Sequence, residues 1–192
     1  MSNLFESEFA EHIAVATASR DALRGPFESV LAVCTQAIKN QGKLLFFGNG
    51  GSAADAQHLA TELTIRYKRD RQPIAALALT TDTSALTAAG NDLGFDKIFS
   101  RQIEALGRHG DIAIGITTSG RSPNILRAFE AAQKLGIVTV VFTGGTGGDA
   151  ARIADHKLVV PSTTTARIQE MHITLGQMLC AGLEIELGYV PL

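Results

Sequence analysis

A run of hydroxyl side chains between residues 117 and 123 has the composition of a phosphate-binding loop. The segment reads TTSGRSP, and Ser122 followed by Pro123 is typical of a helix start, because proline is tolerated at the first helical position. Hydroxyl groups and free backbone N–H groups at the positive end of a helix can bind an anion. The segment indicates either a phosphate cradle or an ordinary hydroxyl-rich cap and turn, and by itself it does not separate the two.

A second loop, residues 48–55, is rich in glycine and has the sequence GNGGSAAD. Its glycines allow a sharp turn and a close approach of the backbone to a ligand. Ser52 is a good N-cap for a following helix, with Asp55 three residues later as in a capping box. The loop also fits a dinucleotide fingerprint, but Asp82 lies well beyond the spacing of about twenty residues that such a site expects for its acid. A dinucleotide site is therefore disfavoured.

A histidine and a glutamate follow the glycine loop at the spacing of one helical turn. His58 and Glu62 would lie on the same face of a helix, where an imidazole nitrogen and a carboxylate oxygen can bind zinc. Such a pair is more often a simple surface pair. The spacing alone therefore indicates a candidate metal site that needs further ligands from elsewhere in the chain.

Five short apolar segments predict the β-strands that would position these loops. Most are rich in valine, isoleucine or phenylalanine and end in glycine, threonine, serine or proline. The predicted strands are Lys43–Phe47, Ile74–Leu79, Asp111–Ile116, Val138–Phe142 and Lys157–Val160. The helices predicted between them are Ser52–Tyr67, Asp96–Leu106 and Ser122–Leu135. This alternation predicts an α/β fold: a doubly wound, five-stranded parallel sheet of the flavodoxin-like type, with its ligand beyond the carboxyl ends of the strands.

Further helices are predicted outside the sheet unit. Leu4–Leu23 and Phe27–Ile38 have apolar residues at three- and four-residue spacing and are separated by Gly25-Pro26. A long C-terminal helix, at about Thr165–Gly188, is apolar on more than one face and has to be buried. We therefore expect a homo-oligomer built from a single domain over residues 1–192, with the N-terminal helices in residues 1–41 used for oligomerisation.

The composition argues against several classes of protein. Of the 192 residues, 45% are hydrophobic and 19% are charged, which is enough for a substantial core. The net charge is −2 and the basic residues are scattered, so no nucleic-acid partner is expected. Cys34 and Cys180 match no metal or redox spacing. Acidic residues stand near the N-terminus, and no apolar run reaches membrane-spanning length, so we expect a cytoplasmic protein without membrane partners.

Four separated motifs make the chain resemble the phosphoheptose isomerases of the sugar isomerase (SIS) family. They are GNGGSAADAQHLATEL at residues 48–63, GND at 90–92, TTSGRSPN at 117–124 and RIQEMH at 167–172. The similarity covers nearly the whole chain, and the motifs occur in the family's order and spacing. The resemblance implies the doubly wound SIS fold and, usually, a homotetramer.

The resemblance also implies an activity, which is the conversion of sedoheptulose 7-phosphate to D-glycero-D-manno-heptose 7-phosphate. In the family this is the first step of ADP- or GDP-heptose biosynthesis, towards lipopolysaccharide or related glycans. The hydroxyl loop would hold the phosphate, the glycine loop and the GND motif would contact the sugar, and an arginine would reach a neighbouring subunit's site. The substrate-binding residues implied in this way are Asn49, Gly50, Gly51, Ser52, Arg66, Asn91, Asp92, Thr117, Thr118, Ser119, Ser122 and Gln169.

One zinc ion per subunit is implied as well. The family's first three zinc ligands match His58, Glu62 and Gln169, but Gln177 stands at the position of the fourth, a histidine. That histidine also serves as the family's acid or base, whereas an amide is a weaker zinc ligand and exchanges no proton near neutral pH. Glu62, Gln169 and Gln177 are the predicted catalytic residues, with Glu62 as the base. His172 is a possible substitute for the missing histidine, although a structural role is favoured.

Two functions without catalysis stay open on the sequence. Relatives that associate with the replication initiator DnaA share the scaffold and resemble this chain after ARIQEMH, where both lack the last histidine ligand. Those relatives have no acid at the position of Glu62, which favours the enzyme. The other alternative is a phosphosugar sensor that binds its ligand without turnover.

Overall fold

The structure of the protein, a computed structural model, describes residues 2–191. It has one parallel β-sheet that is covered by helices on both faces. Met1 and Leu192, the two ends of the predicted domain, lie outside the described residues. The strands are β1 (Leu44–Gly48), β2 (Ala76–Ala78), β3 (Ile112–Ile116), β4 (Val138–Gly144) and β5 (His156–Val160). All neighbouring strands are parallel, and their order is β2-β1-β3-β4-β5. This is the flavodoxin-like order, so the predicted α/β fold is confirmed.

The helices cover the sheet from both sides. They are α1 (Ser2–Lys39), α2 (Gly51–Thr64), α3 (Thr83–Asp92), α4 (Ser100–Leu106), α5 (Pro123–Lys134), α6 (Ala150–Ile153) and α7 (Thr165–Glu186). A 3₁₀ turn, Phe95–Lys97, precedes α4, so the predicted helix from Asp96 is divided in two. Among the described residues no helix is long and apolar enough to cross a membrane.

The expected break between two N-terminal helices is wrong, because α1 runs without interruption through Pro26. A proline inside a helix removes one backbone hydrogen bond and strains the turn before it. Here Leu23, on one side of the proline, and Val30 and Cys34, on the other, are buried in the same apolar cluster. Burial of apolar surface on both sides keeps the helix axis continuous past the proline.

Two short helices, α3 and α6, are absent from the sequence prediction. Helix α3 has only one buried residue, Ala89, and therefore lacks the apolar stripe that identifies a helix. Its N-terminus is capped by Asp82, whose carboxylate accepts a hydrogen bond of 2.9 Å from the backbone N–H of Ala85. The acid considered for a dinucleotide site is thus a helix cap.

The core consists of two apolar clusters, one on each face of the sheet. Alternate residues of β1 divide between them: Leu44 and Phe46 face α1, α2 and α7, whereas Leu45 and Phe47 face α3, α4 and α5. On the first face α2 and α7 are in close contact at Gly176. A Cβ atom at this glycine would lie 2.5 Å from Cδ1 of Leu59, so only glycine permits this approach. The close packing lets side chains of α2 reach side chains of α7.

Candidate active site

The hydroxyl-rich loop lies where the sequence predicts it, between β3 and α5. Thr118 and Ser119 line a cavity of about 290 Å³ beyond the carboxyl ends of β3 and β4. Ser122 is the N-cap residue of α5 and Pro123 is its first residue. Within the described chain the Ser122 hydroxyl makes no capping hydrogen bond, so it is not used by its own helix. We refer to the space lined by this loop and by the loops after β4 and β5 as the strand-end cavity.

Backbone contacts hold the hydroxyl loop in place. Gly120 has a φ of +66°, and a Cβ atom there would collide with the backbone of Gly147 in the loop after β4. The backbone N–H of Ala150 donates to the carbonyl of Gly120 at 2.9 Å. The hydroxyl of Thr117, which is buried, accepts a hydrogen bond of 3.3 Å from the N–H of Gly120. These contacts within the protein therefore hold the backbone of the loop in place without a ligand.

The other wall of the strand-end cavity was missed by sequence reasoning. It consists mainly of hydroxyl residues from the loops after β4 and β5, together with Arg121 of the first loop. These residues are Thr146, Ser162, Thr163 and Thr165. Their segments, GGTGG and PSTTT, each follow a strand directly. The rule that ligands bind beyond the carboxyl ends of parallel strands would have identified them.

The glycine loop connects β1 to α2 through Gly50, not through Ser52. Gly50 is the N-cap of α2 and has a φ of +56°, a conformation that glycine adopts without strain. Ser52 lies inside the first turn and is 3% exposed. The predicted cap at Ser52 is therefore wrong, because the positive φ of Gly50 starts the helix two residues earlier than a serine cap would.

A reciprocal amide pair joins the glycine loop to the start of α5. The side-chain N–H of Asn49 donates to Oδ1 of Asn124 at 2.9 Å, and the N–H of Asn124 donates to Oδ1 of Asn49 at 2.8 Å. Asn124 is 2% exposed, so the pair is shielded from competing water. Asn124 is the last letter of the TTSGRSPN motif, and sequence reasoning gave it no role. It holds Asn49, a predicted sugar contact, beside the hydroxyl loop.

Gln169 also belongs to this part of the molecule. A Cβ atom at Gly51 would lie 2.8 Å from Nε2 of Gln169, so the glutamine side chain lies over the first turn of α2. Ile168, the preceding residue, lines the strand-end cavity. The structure therefore places Gln169 with Gly50 and Gly51 at the end of the sheet.

Three of the four predicted metal ligands come together further along α2. Nε2 of His58 lies 3.2 Å from Oε1 of Glu62, one turn later, and 3.5 Å from Nε2 of Gln177 on α7. We refer to these three residues as the α2–α7 cluster. Seven residues of α2 separate Gly51 from His58, which is about 10 Å at the rise of an α-helix. Gly51, over which Gln169 lies, is therefore about two helical turns from His58 along α2.

The separations in the α2–α7 cluster fit a zinc ion. Two ligands of one tetrahedral zinc ion, with bonds of about 2.0–2.2 Å, lie about 3.3–3.6 Å apart. A half turn of the Gln177 amide places its oxygen where the nitrogen now lies. Across residues 2–191 no group of three histidine, cysteine, aspartate or glutamate side chains could hold a metal. The third side chain beside His58 and Glu62 is the amide of Gln177.

The remaining predicted substrate residues, Arg66, Asn91 and Asp92, are not among the residues that line the strand-end cavity. Arg66, beyond the end of α2, is exposed and pairs with Asp70 at 2.9 Å. Asn91 and Asp92 are exposed at the end of α3, where the Asn91 amide donates to the Asp92 carboxylate at 2.7 Å. Helix α3 packs on the sheet face opposite to α2 and α7. Asn91 and Asp92 thus lie on the other side of the sheet from the α2–α7 cluster.

His172 does not replace the missing histidine ligand. Its ring is fully buried, and Nε2 donates to the carbonyl of Thr143 at 3.2 Å. Nδ1 has no partner among the described residues. Burial lowers the pKa of His172 to about 4, because the charged imidazolium is poorly solvated there. The residue is a neutral part of the core under β4, in keeping with the structural role expected for it.

Comparison with known proteins identifies close relatives over almost the whole chain. Residues 9–144 match the SIS domain family. The chain is 55% identical to the phosphoheptose isomerase of Paramagnetospirillum magneticum over 93% of each protein, and 52% identical to that of Campylobacter jejuni over 94% and 96%. Among solved structures, the phosphoheptose isomerase of Neisseria gonorrhoeae superposes with a TM-score of 0.90 at 44% identity, covering 95% of this chain and 98% of that one. The enzyme of Francisella tularensis gives 0.92 at 37% identity, covering 94% and 96%.

Proposed function

The chain belongs to the SIS-domain family and, within it, to the phosphoheptose isomerases, and we propose that it converts sedoheptulose 7-phosphate to D-glycero-D-manno-heptose 7-phosphate. This aldose–ketose isomerisation would be the first step of ADP- or GDP-heptose biosynthesis, towards lipopolysaccharide or a related glycan. The observation that carries the proposal is the strand-end cavity, whose hydroxyl walls and fixed backbone suit a sugar phosphate.

Binding of the phosphate is assigned to the hydroxyl loop. Thr118 and Ser119 face the cavity and Ser122 stands at the N-terminus of α5, where the helix dipole favours an anion. Thr117 and Ser52 are buried beneath the two loops and are assigned to supporting them. Asn49, held by Asn124 at 2.9 Å, offers its remaining amide N–H to a sugar hydroxyl.

The chemical step moves a proton between carbon 1 and carbon 2 of the sugar through an enediolate. Glu62 is the base in this proposal, because its carboxylate lies 3.2 Å from His58 in the α2–α7 cluster and is partly shielded, with 22% of its side chain exposed. Gln177 can orient a substrate oxygen by hydrogen bonding but carries no transferable proton near neutral pH. Proton transfer between the two oxygens then falls to water or to the hydroxyls of the substrate.

A zinc ion is part of the proposal as the cofactor. His58, Glu62 and Gln177 would hold it. Gln169, the fourth predicted ligand, lies over Gly51 and outside this group of three. When bound, zinc supplies a Lewis acid that polarises the carbonyl of the substrate. The proposal is supported by ligand separations of 3.2 and 3.5 Å, which suit a tetrahedral ion.

The assembly proposed is a homotetramer that acts in the cytoplasm. Helix α1 exposes large apolar side chains near its start, among them Phe5, Phe9 and Ile13, and α7 exposes Met178. Several large apolar side chains exposed on two helices support a subunit interface on this part of the protein. In such an assembly Arg66 would reach a neighbouring subunit's site. Both cysteines are free and buried, as is usual in a reducing compartment.

The assay for this function is incubation with sedoheptulose 7-phosphate in D₂O, with and without added zinc. Conversion to the aldose, with deuterium at carbon 2 seen by NMR, is the expected result. Tight binding of the phosphosugar without conversion would instead establish the sensor. Absence of both phosphosugar binding and turnover would overturn the proposal and would favour a non-catalytic protein that binds a partner.

A further inference from the structure

A buried ion pair joins the region after α2 to the end of α7. Nε of Arg71 lies 2.8 Å from Oε1 of Glu184, and each side chain is only 2% exposed. Neither residue lines the strand-end cavity, and the proposed reaction uses neither. Removing two charges from water carries a large desolvation penalty, and a pair of apolar residues of similar volume is often at least as stable. Stability alone therefore gives no sufficient reason for this pair.

The remaining donors of Arg71 bind the end of α2. One terminal nitrogen donates to the carbonyl of Glu62 at 2.7 Å, and the other donates to the carbonyl of Leu63 at 2.7 Å. The last carbonyls of a helix lack partners within it, and a positive charge there is favoured by the helix dipole. The planar guanidinium offers these donors in a fixed fork. Arg71 thus fixes the backbone of the residue assigned as base.

Glu184 connects Arg71 and the end of α2 to α7. It lies seven residues, or about two turns, after Gln177. Its carboxylate also accepts a hydrogen bond of 3.4 Å from the backbone N–H of Tyr67. The segment 65–71, which carries Arg66, is therefore bound to α7 at both Tyr67 and Arg71. One carboxylate and one guanidinium connect α2, the following segment and α7.

We propose that the Arg71–Glu184 pair is a positioning device that sets the placement of Glu62 against Gln177. The two residues act through the backbone of α2 and touch neither substrate nor metal. This inference rests on the proposed isomerase function, since it assigns the pair to the catalytic geometry. The separation between the two helices that the pair maintains is the 3.5 Å between Nε2 of His58 on α2 and Nε2 of Gln177 on α7.

The test replaces the pair by apolar residues in the double variant Arg71→Met/Glu184→Leu. Each single variant leaves one buried charge without its partner, so its urea midpoint should fall clearly. The double variant should regain most of that stability. Its kcat should stay about 10–100-fold below that of the unmodified protein, with KM changed less than about threefold, because small misplacements of catalytic groups reduce the rate steeply. In its crystal structure the distance between His58 and Gln177 should differ by about 1 Å, the size of misplacement that has such effects.

Two further variants complete the test. Arg71→Lys keeps the charge, but one ammonium cannot reproduce the fork, so its kcat should also fall. Arg127→Met/Glu130→Leu removes an exposed Arg–Glu pair on α5 by the same substitutions and should leave kcat unchanged. Recovery of both stability and kcat in the Arg71→Met/Glu184→Leu double variant, with the cluster distances unchanged, would overturn the inference.

Failure of the proposed function is recognised separately. If the unmodified protein shows no turnover, the isomerase proposal fails, and the positioning role is decided by the crystal structure of the double variant and by zinc titration. A displaced cluster with zinc binding weakened about tenfold supports positioning. An unchanged cluster with unchanged zinc binding overturns it.

Discussion

The strand-end cavity and the α2–α7 cluster are built by different means. The cavity is shaped by backbone: Gly120 at positive φ lies against Gly147, and the loops are joined by main-chain hydrogen bonds. The cluster is made of three side chains on two helix faces, and 46% of the His58 side chain is exposed. In the proposed function, phosphate binding is therefore shared among several hydroxyl side chains on a fixed backbone, whereas proton transfer depends on single residues of the cluster. A glutamine at position 177 can alter the chemistry while the fold and the cavity stay the same.

The largest effect is expected from restoring a histidine in the α2–α7 cluster. Gln177→His would supply an acid–base group beside His58 and Glu62, and kcat should rise by about 10²–10⁴-fold. KM for sedoheptulose 7-phosphate should change little, because the proposed phosphate site is the strand-end cavity. Steady-state kinetics at saturating zinc measure both values. Turnover that is unchanged by Gln177→His would show that the position carries no proton-transfer role in this protein.

The next effect concerns His172, which lies between the two regions on α7 and bonds to Thr143 of β4. Burial lowers the pKa of His172 to about 4, below its ordinary value of 6.5. The unfolded chain therefore binds a proton at this residue at a higher pH than the folded chain does. The free energy of unfolding should decrease as the pH falls from about 6.5 to about 4, by about 3 kcal/mol from this residue, and show no further loss from it at lower pH.

Urea unfolding at several pH values measures this contribution, with His172→Gln as the comparison. Glutamine can still donate a hydrogen bond to Thr143 but does not titrate. The free energy of unfolding is plotted against pH for both proteins. The difference between the two slopes gives the contribution of His172, because the carboxylates that titrate in the same range are present in both proteins. Equal slopes for both proteins would show that the pKa of His172 is not lowered in the folded protein.

A smaller effect is expected from disturbing the backbone beneath the strand-end cavity. Gly120→Ala forces a side chain into the left-handed region and against the backbone of Gly147, which should reduce the free energy of unfolding by about 2 kcal/mol. The loop has to shift, so KM should rise more than kcat falls. Gly25→Ala serves as the matched control, because a Cβ atom there meets nothing within 4 Å. A Gly120→Ala enzyme with unchanged KM would mean that this loop does not hold the phosphate.

The smallest effect is expected at the amide pair between the loops. Asn124→Ala leaves Asn49 without the partner that orients it, because both hydrogen bonds of the pair are lost, and kcat/KM should fall about tenfold. Asn124→Asp keeps an acceptor for the Asn49 N–H and should lose less. The kinetics of both variants, measured beside their unfolding midpoints, separate orientation from stability. Equal losses in the two variants would contradict an orienting role.

Sequence reasoning succeeded where a local pattern has one structural meaning. The strands were located to within about two residues, and Ser122-Pro123 starts α5. It failed at α1, because burial against α7 overrides the local effect of Pro26. It also failed at Ser52, since the positive φ of Gly50 cannot be recognised from residue type alone.

The sequence by itself determined the order of the elements, the doubly wound sheet and the family, because apolar periodicity and loop composition are local properties. Only the tertiary structure decided which side chains meet. It placed His58, Glu62 and Gln177 together and set Gln169 over Gly51. It also brought Arg71 to Glu184, 113 residues away along the chain. These encounters depend on how closely α2 and α7 pack across Gly176, and spacing along one chain does not encode the distance between two helices.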